Sequence, residues 1–341
     1  MTTKMMVPPS PDVLTSRVLA GRAFLVKTPV CILYFAYLKR WLLTGNQGAV
    51  VYGWPRLGKT SGTRWVLSAI QEVFGTLPFV EVPIRKQHLH NEGAFFQYLL
   101  KCCRHRYYSK GSVTDKRDRF LEAMLNRARR SVTRTVILFI DEAHQLDELE
   151  YQWLQNISNE LDAAGARLFC LLVGQHDLSS KRDSLILDGF EQIVGRFMTE
   201  EWSYRGLNSA EEIKVVLAAY QESFYPEKAK GGRPFLSYYV PIAFKSGWRL
   251  APLATLLWEA YQATWKSLGG DASELEVPMQ YLSSAIISLV NLLAEKDSTS
   301  LEVDIKTVNK AVGESGFRNA MLQLRRAQEH AKKQSTSATT R

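Results

Sequence analysis

The stretch Gly53-Trp54-Pro55-Arg56-Leu57-Gly58-Lys59-Thr60 constrains this chain more than any other. It matches G-x-x-x-x-G-K-[ST], the Walker A phosphate loop, at every fixed position, and its flanks suit the motif. Ala49–Tyr52 is a short apolar run that reads as a strand. Thr60–Phe74 reads as a helix, with Trp65, Ala69, Ile70 and Val73 at helical spacing and Gly75 as its stop. Strand, glycine loop and helix together make an anion site, because backbone N–H groups and the positive end of the helix point at the same spot. Gly53, Pro55, Arg56, Leu57, Gly58, Lys59, Thr60 and Ser61 would surround the phosphates of a nucleotide. Lys59 reaches the terminal phosphates, and Thr60 places its hydroxyl on Mg²⁺. Gly53 and Gly58 allow a close approach that a side chain would block. The plain alternative, a glycine turn beside a surface lysine, does not explain the flanks.

A second element completes the site. Val136–Ile140 is an uninterrupted apolar run, the mark of a parallel strand buried on both faces. It ends in Asp141-Glu142, a Walker B pair. Asp141 at a strand end can hold Mg²⁺ beside Thr60. Glu142 is placed to orient and deprotonate an attacking water. Thr60 and Asp141 are therefore the expected metal ligands, ATP and Mg²⁺ the expected cofactors, and ATP hydrolysis the expected reaction. Asp141-Glu142-Ala143-His144 also spells the DEAH box of one helicase class, but no second motor domain is recognisable, and His144 is expected to touch the strand end or a neighbouring loop.

Three further polar residues are candidates. Gln175 ends the apolar run Leu168–Val173, where it can sense the terminal phosphate or stand as an ordinary loop glutamine. Arg196 sits between a helix and the last strand. There it can face a neighbouring subunit's nucleotide as an arginine finger, with Arg182 and Arg205 as competitors and a surface salt bridge as the plain reading. Arg249, after Gly247-Trp248, opens a later helix and can reach back to the phosphates.

Strands alternating with helices over roughly residues 20–205 predict a doubly wound α/β core. From Asn208 onward only helical periodicity appears, at Ile213–Tyr220, Leu250–Trp265, Val277–Leu293 and Leu301–Val312. The segment 227–234 reads as a flexible basic loop. Four segments result: an extension and helix packing on the core over 1–46, an α/β nucleotide-binding core over 47–205, an all-helical lid over 206–312, and a basic, disordered tail over 313–341.

Charge points to a polyanionic partner. The chain of 341 residues carries a formal net charge of +9, which favours nucleic acid over membrane. Eleven basic residues but only three acidic ones lie in 101–134, with Tyr107 and Tyr108 between them. A solvated helix face is the usual meaning of such a run, but here it holds nearly all of the chain's excess. Arg104, Arg106, Lys110 and Lys116 are the candidate DNA contacts, through phosphates and hence tolerant of sequence. Cys31, Cys102, Cys103 and Cys170 form no C-x-x-C pair and read as small buried apolar residues. No apolar run is long enough for a bilayer and no signal-peptide core is visible, so a cytoplasmic location without membrane contact is expected.

Walker A, a Walker B strand ending in Asp-Glu, a polar residue after the next strand, a late arginine and a helical lid led by an arginine together resemble an AAA+ ATPase. The expected fold is an AAA+ P-loop NTPase core with a parallel sheet, followed by a small helical lid. Within that superfamily, Val136–Leu146, Leu171–Gln175 and Arg205-Gly206-Leu207 resemble the TnsC/TniB-like regulators of bacterial transposition. The resemblance implies ATP-dependent rings or short filaments, hexameric or heptameric, around double-stranded DNA. It also implies a link between a TniQ-like target-selection protein and a transposase, with hydrolysis driving disassembly. Gln175 departs from the Asn or Thr of many relatives, and Trp54-Pro55 is bulkier than usual. A loader or remodeller of a helicase or another protein client is the competing reading.

Overall fold

A computed structural model describes residues 15–17, 25–85, 91–226 and 228–326. Val30–Arg205 form one compact unit, and Gly206–Arg341 with Met1–Pro29 contribute to a second.

The first unit is built on five parallel strands: β1 (Gly48–Tyr52), β2 (Phe79–Pro83), β3 (Thr135–Asp141), β4 (Arg167–Gly174) and β5 (Glu200–Ser203), in the order β2-β3-β4-β1-β5. All seven residues of β3 are buried, as its unbroken apolar run predicts. Pro83 closes the edge strand β2, where a missing N–H costs no ladder bond. The register sets Tyr52 beside Gly174, Val173 beside Asp141, and Asp141 beside Pro83. The carboxyl ends of four strands thus form one edge, and β4 lies between the strand before the phosphate loop and the strand before the acidic pair. Strand order reverses around β4 and β1, the place where open α/β sheets bind ligands.

Helices cover both faces. Helix α1 (Pro29–Leu43) packs beside β5: Tyr34 stacks on Trp202 at 5.1 Å and the Trp41 indole N–H donates to Glu200 at 2.8 Å. The Walker helix is α2 (Lys59–Ala69), followed after Ile70 by the short α3 (Gln71–Phe74). Its buried face is Gly62, Thr63, Val66, Leu67 and Ile70, whereas Val73 is 47% exposed. The face expected from Trp65, Ala69 and Val73 is thus shifted around the helix. Gly62 sets the face: a Cβ there would lie 2.5 Å from the Tyr204 hydroxyl, so the helix backbone seats directly on that ring.

Between β2 and β3 come α4 (Glu92–Cys102) and α5 (Val113–Ala128). Asn91 caps the first, and a Ser112–Asp115 capping box starts the second. Their contacts advance in the same sense: Val113 sits against Gly93, the Lys116 ammonium donates to Gln97 at 2.9 Å, and Arg127 donates to the Cys103 carbonyl at 2.9 Å. The helices are therefore parallel, and residues 103–112 run back along them. After β3, the Asp147–Glu150 capping box opens α6 (Glu148–Ala163); α7 (Asp177–Leu187) and α8 (Glu191–Phe197) connect β4 to β5.

The second unit contains α9 (Ala210–Glu222), α10 (Pro241–Lys245), α11 (Ala254–Ser267), α12 (Met279–Ala294) and α13 (Ile305–Glu314). It is not all-helical. Phe224–Tyr225 pairs antiparallel with Arg233–Pro234, so part of the expected flexible loop is a small ribbon. The expected tail also starts too early at 313: residues 317–326 are helical, Phe317 is fully buried against Tyr261 and Tyr281, and Arg325 donates to the Leu268 and Gly269 carbonyls. The rest of the tail lies outside the described residues. Of the N-terminal extension, Arg17 donates to the Tyr238 carbonyl at 3.0 Å and its own carbonyl accepts from the Tyr239 hydroxyl. This places Arg17 with the helical unit, whereas α1, the helix of the expected 1–46 segment, packs on the core; residues 1–14 and 18–24 lie outside the described residues.

Candidate nucleotide site

The site forms where the glycine loop leaves β1. Gly53 is irreplaceable by any residue with a Cβ, which would lie 2.3 Å from the Tyr204 carbonyl oxygen. Gly58 has φ of 98°, left-handed backbone that side chains disfavour, and it sets the turn into α2. Arg56, also left-handed at φ 71°, and Pro55 are exposed, while Leu57 is buried under the loop. Ser61 lies exposed in the first turn of α2. The bulk of Trp54 is carried outward against His176, with ring centroids 4.5 Å apart.

Three groups converge, two from the start of α2 and one from the end of β3. The Lys59 ammonium donates to the Gly53 and Trp54 carbonyls, both at 2.8 Å, so it spans its own loop. The Thr60 hydroxyl donates to Asp141 Oδ2 at 2.8 Å, joining the Walker helix to the end of β3. Burial pushes the Lys59 ammonium below its ordinary value, with Glu142 and Asp141 opposing the shift. Burial likewise pushes the Asp141 carboxyl up, with the Thr60 hydrogen bond opposing. Both charged forms are held at a cost that a partner of opposite charge would relieve. Glu142 follows in left-handed backbone at φ 56°, its N–H donating to Asp141 at 3.2 Å. Its side chain is 41% exposed, and Glu142 Oε2 lies 3.6 Å from His144 Nδ1. Thus His144 does contact the strand end, and it also lies against Gly174 at the end of β4.

Glycines without room for Cβ, a buried lysine across the loop, and a threonine–aspartate oxygen pair are the donor set that a magnesium triphosphate needs. Residues 43–182 match the family described as an AAA domain. That stretch holds both the glycine loop and the acidic pair. The chain's fold is similar to the ORC2 protein of Aeropyrum pernix in ADPNP–ADP complexes, with a TM-score of 0.57 and 13% identity over 87% of this chain and 71% of that one. It is similar too to Cdc6p of Pyrobaculum aerophilum, with a TM-score of 0.51 and 15% identity over 83% and 67%. No curated protein matches the chain by sequence.

The other candidates divide. Gln175 follows Gly174, the register partner of Tyr52, so β4 sets it between the glycine loop and the acidic pair. Arg196 is held elsewhere. It donates to Ser158 at 2.9 Å and to Asp162 at 3.1 Å, both near the far end of α6, at the sheet edge where Gln47 precedes β1. Within one chain it is therefore tied to a carboxylate, as the plain reading held. Its competitor Arg182 pairs with Glu201 at 2.8 Å. Arg249 belongs to the helical unit, where it donates to the Phe244 and Trp248 carbonyls and covers the Phe244 ring at 4.5 Å.

The basic block also divides. Arg119 donates to the Tyr107 and Lys110 carbonyls, and Arg127 to those of Ala123 and Cys103. These two arginines fasten the return segment 103–112 to α5. Lys116 is half-buried on Gln97, which withdraws it from the candidate phosphate contacts. Arg104, Arg106 and Lys110 remain exposed on the segment, with Tyr107 at 50% and Tyr108 at 38% exposure.

Sequence reasoning missed Gly62, Tyr204 and His176. Each acts through a contact distant in the chain or a ring packing that no local pattern encodes. No helix among the described residues is long and apolar enough to cross a membrane.

Proposed function

We propose that this protein is an ATP-driven assembly switch on double-stranded DNA that couples a target-selecting protein to a transposase. The observation that carries the nucleotide part is the convergence of Lys59, Thr60 and Asp141 within single hydrogen bonds of the loop or of one another. Lys59 would turn from the loop carbonyls to the terminal phosphates, and Thr60 and Asp141 would supply oxygens to Mg²⁺. Bound Mg²⁺ would neutralise charge building on the terminal phosphate. Glu142 accepts the proton of the attacking water, and Gln175 holds that water or reads the phosphate. Arg196 would leave Asp162 to act on a neighbouring subunit's nucleotide. The exposed Arg104, Arg106 and Lys110, fastened on a braced segment beside two tyrosines, support sequence-tolerant grip on the DNA backbone.

The assignment to transposition rests on the resemblance of Val136–Leu146 to TnsC/TniB-like regulators. A loader of a helicase or another protein client would use the same machinery on a different target. The deciding experiment measures phosphate release by the purified protein with and without duplex DNA, and with a protein client alone. DNA-stimulated turnover with ATP-dependent multimers is expected. No DNA binding at low salt, or stimulation by the client alone, would remove the DNA-switch reading.

A further inference from the structure

The glutamate after β3 is presented by a turn more rigid than itself. The Gln145 N–H donates to the Glu142 carbonyl at 3.0 Å and the Leu146 N–H to the Ala143 carbonyl at 3.1 Å. The Ala143 carbonyl also accepts from the buried Tyr151 hydroxyl at 3.2 Å, and the Leu146 carbonyl accepts from the Lys181 ammonium. Bonds on both sides of His144 thus fix its backbone, and its side chain is only 14% exposed. The Glu142 side chain is the opposite case. It is 41% exposed and accepts no hydrogen bond among the described residues. A base that serves one water must point in one direction, and no group named so far aims it.

The neighbouring imidazole is placed to do so. His144 Nδ1 is buried and has no hydrogen-bond partner among the described residues, and Glu142 Oε2 lies 3.6 Å away. That gap is a few tenths of an ångström beyond a hydrogen bond. An unmet buried nitrogen is costly, and the exposed carboxylate can close the gap by a small rotation. The end of β4 keeps room for the ring: a Cβ on Gly174 would stand 3.2 Å from His144 Nδ1 and 3.1 Å from Leu178 Cδ2. Asp141 is the register partner of Val173, so the imidazole stands between the two strand ends that carry Glu142 and Gln175. A bond through Oε2 leaves Glu142 Oε1 for the water.

We propose that His144 is a positioning residue for Glu142, its Nδ1–H donating to Oε2 and aiming Oε1 at the attacking water. A carboxylate only accepts, so the neutral ring carries its proton on Nδ1. His144 acts through the glutamate and not on the nucleotide, as a rigid neighbour that locks the rotamer of a reacting group. The histidine of Asp141-Glu142-Ala143-His144, which marks no helicase here, thereby gains a role in the same site. This role belongs to the ATP-hydrolysis reading above and rests on it.

The test is steady-state ATP turnover by the full chain with Mg²⁺, with kcat and KM read separately. His144→Ala should lower kcat by about ten- to a hundredfold, the cost of a misaimed group, with KM and nucleotide affinity as in the parent. His144→Asn, whose amide nitrogen takes the place of Nδ1, should recover most of that loss. His144→Gln, whose amide reaches the Nε2 position instead, should not. In a Glu142→Gln background His144→Ala should cost nothing further, because the ring acts only through that carboxylate. An unchanged or raised kcat for His144→Ala, equal rescue by Gln and Asn, or the same fall in the Glu142→Gln background overturns the proposal. If the parent hydrolyses no ATP, the hydrolysis reading falls by itself. The contact is then decided in nucleotide-free protein by nitrogen NMR of the imidazole, assigned by its loss in His144→Asn. Glu142→Ala should shift the Nδ1 resonance, and an unmoved resonance refutes the contact.

Discussion

Two clusters of charge in this molecule behave in opposite ways. At the carboxyl edge of the sheet, Lys59, Thr60 and Asp141 converge because a glycine loop and two buried strands leave them no other place. In residues 101–134 the density of cations is far higher, yet their side chains disperse. Arg119 and Arg127 bind backbone carbonyls, Lys116 binds Gln97, and Arg104, Arg106 and Lys110 face outward. A motif fixes geometry through its backbone, whereas a charge run fixes only a sum. Which guanidinium serves a ligand and which serves the fold depends on the acceptors that tertiary structure brings near.

That contrast can be broken by substitution, beginning where the effect is greatest. Glu142→Gln should lower ATP turnover by about 10²–10⁴-fold, the usual share of a positioned base, while nucleotide binding measured by calorimetry persists. Lys59→Ala should instead remove binding itself. If both variants bound and turned over ATP like the parent, the convergent cluster would have no more chemical meaning than the dispersed one.

Replacing Arg104, Arg106 and Lys110 together by alanine should leave thermal stability unchanged. It should reduce the slope of log affinity for duplex DNA against log salt by about 2.7, or about 0.9 for each lost phosphate contact. Arg127→Ala should do the reverse. It leaves the buried-side carbonyl of Cys103 without its donor, so unfolding free energy should fall by about 1–3 kcal/mol in denaturant titration while the salt slope holds. A change of slope with Arg127→Ala would erase the division within the block.

The smallest effect concerns pH. Burial raises the Asp141 carboxyl from 3.8 in the folded chain, so the folded state holds that proton more firmly than the unfolded state does. Stability is therefore lost as pH rises through the interval between 3.8 and the higher value in the folded chain. Asp141→Asn should stabilise the nucleotide-free protein by about 1 kcal/mol near neutrality, converging with the parent in acid, and should abolish Mg²⁺-dependent nucleotide binding. Scanning calorimetry across pH reads both limbs, and a destabilised variant at neutral pH would contradict the burial argument.

The loop and the acidic pair were legible because their constraints are local: Gly53, Gly58, Lys59 and the apolar run ending at Asp141 lie within a few residues of the atoms they position. The strands were legible for a related reason, since burial on both faces leaves an unbroken apolar signature in β3 and β4. What escaped depended on distance. Ser158 and Asp162, which hold Arg196, stand 38 and 34 residues away. The buried face of α2 is set by Tyr204 across the sheet, not by the period of its own apolar residues. The ribbon of Phe224–Tyr225 with Arg233–Pro234 is two residues wide, too short for alternation to show. Residues 317–326 looked like tail because they lead into a basic, Ser/Thr-rich terminus, although Phe317 and Met321 bury against the helical unit and anchor them.

Glu142 carries a consequence beyond its carboxylate. Its φ of 56° belongs to a region that branched side chains enter only with strain. The repertoire acceptable at this position is therefore filtered by backbone shape before chemistry is consulted: asparagine, aspartate or glycine would sit at ease there, and valine or threonine would not. Evolution can silence this glutamate without disturbing the peptide around it, which makes a dormant, nucleotide-gripping version of the molecule a short mutational step away.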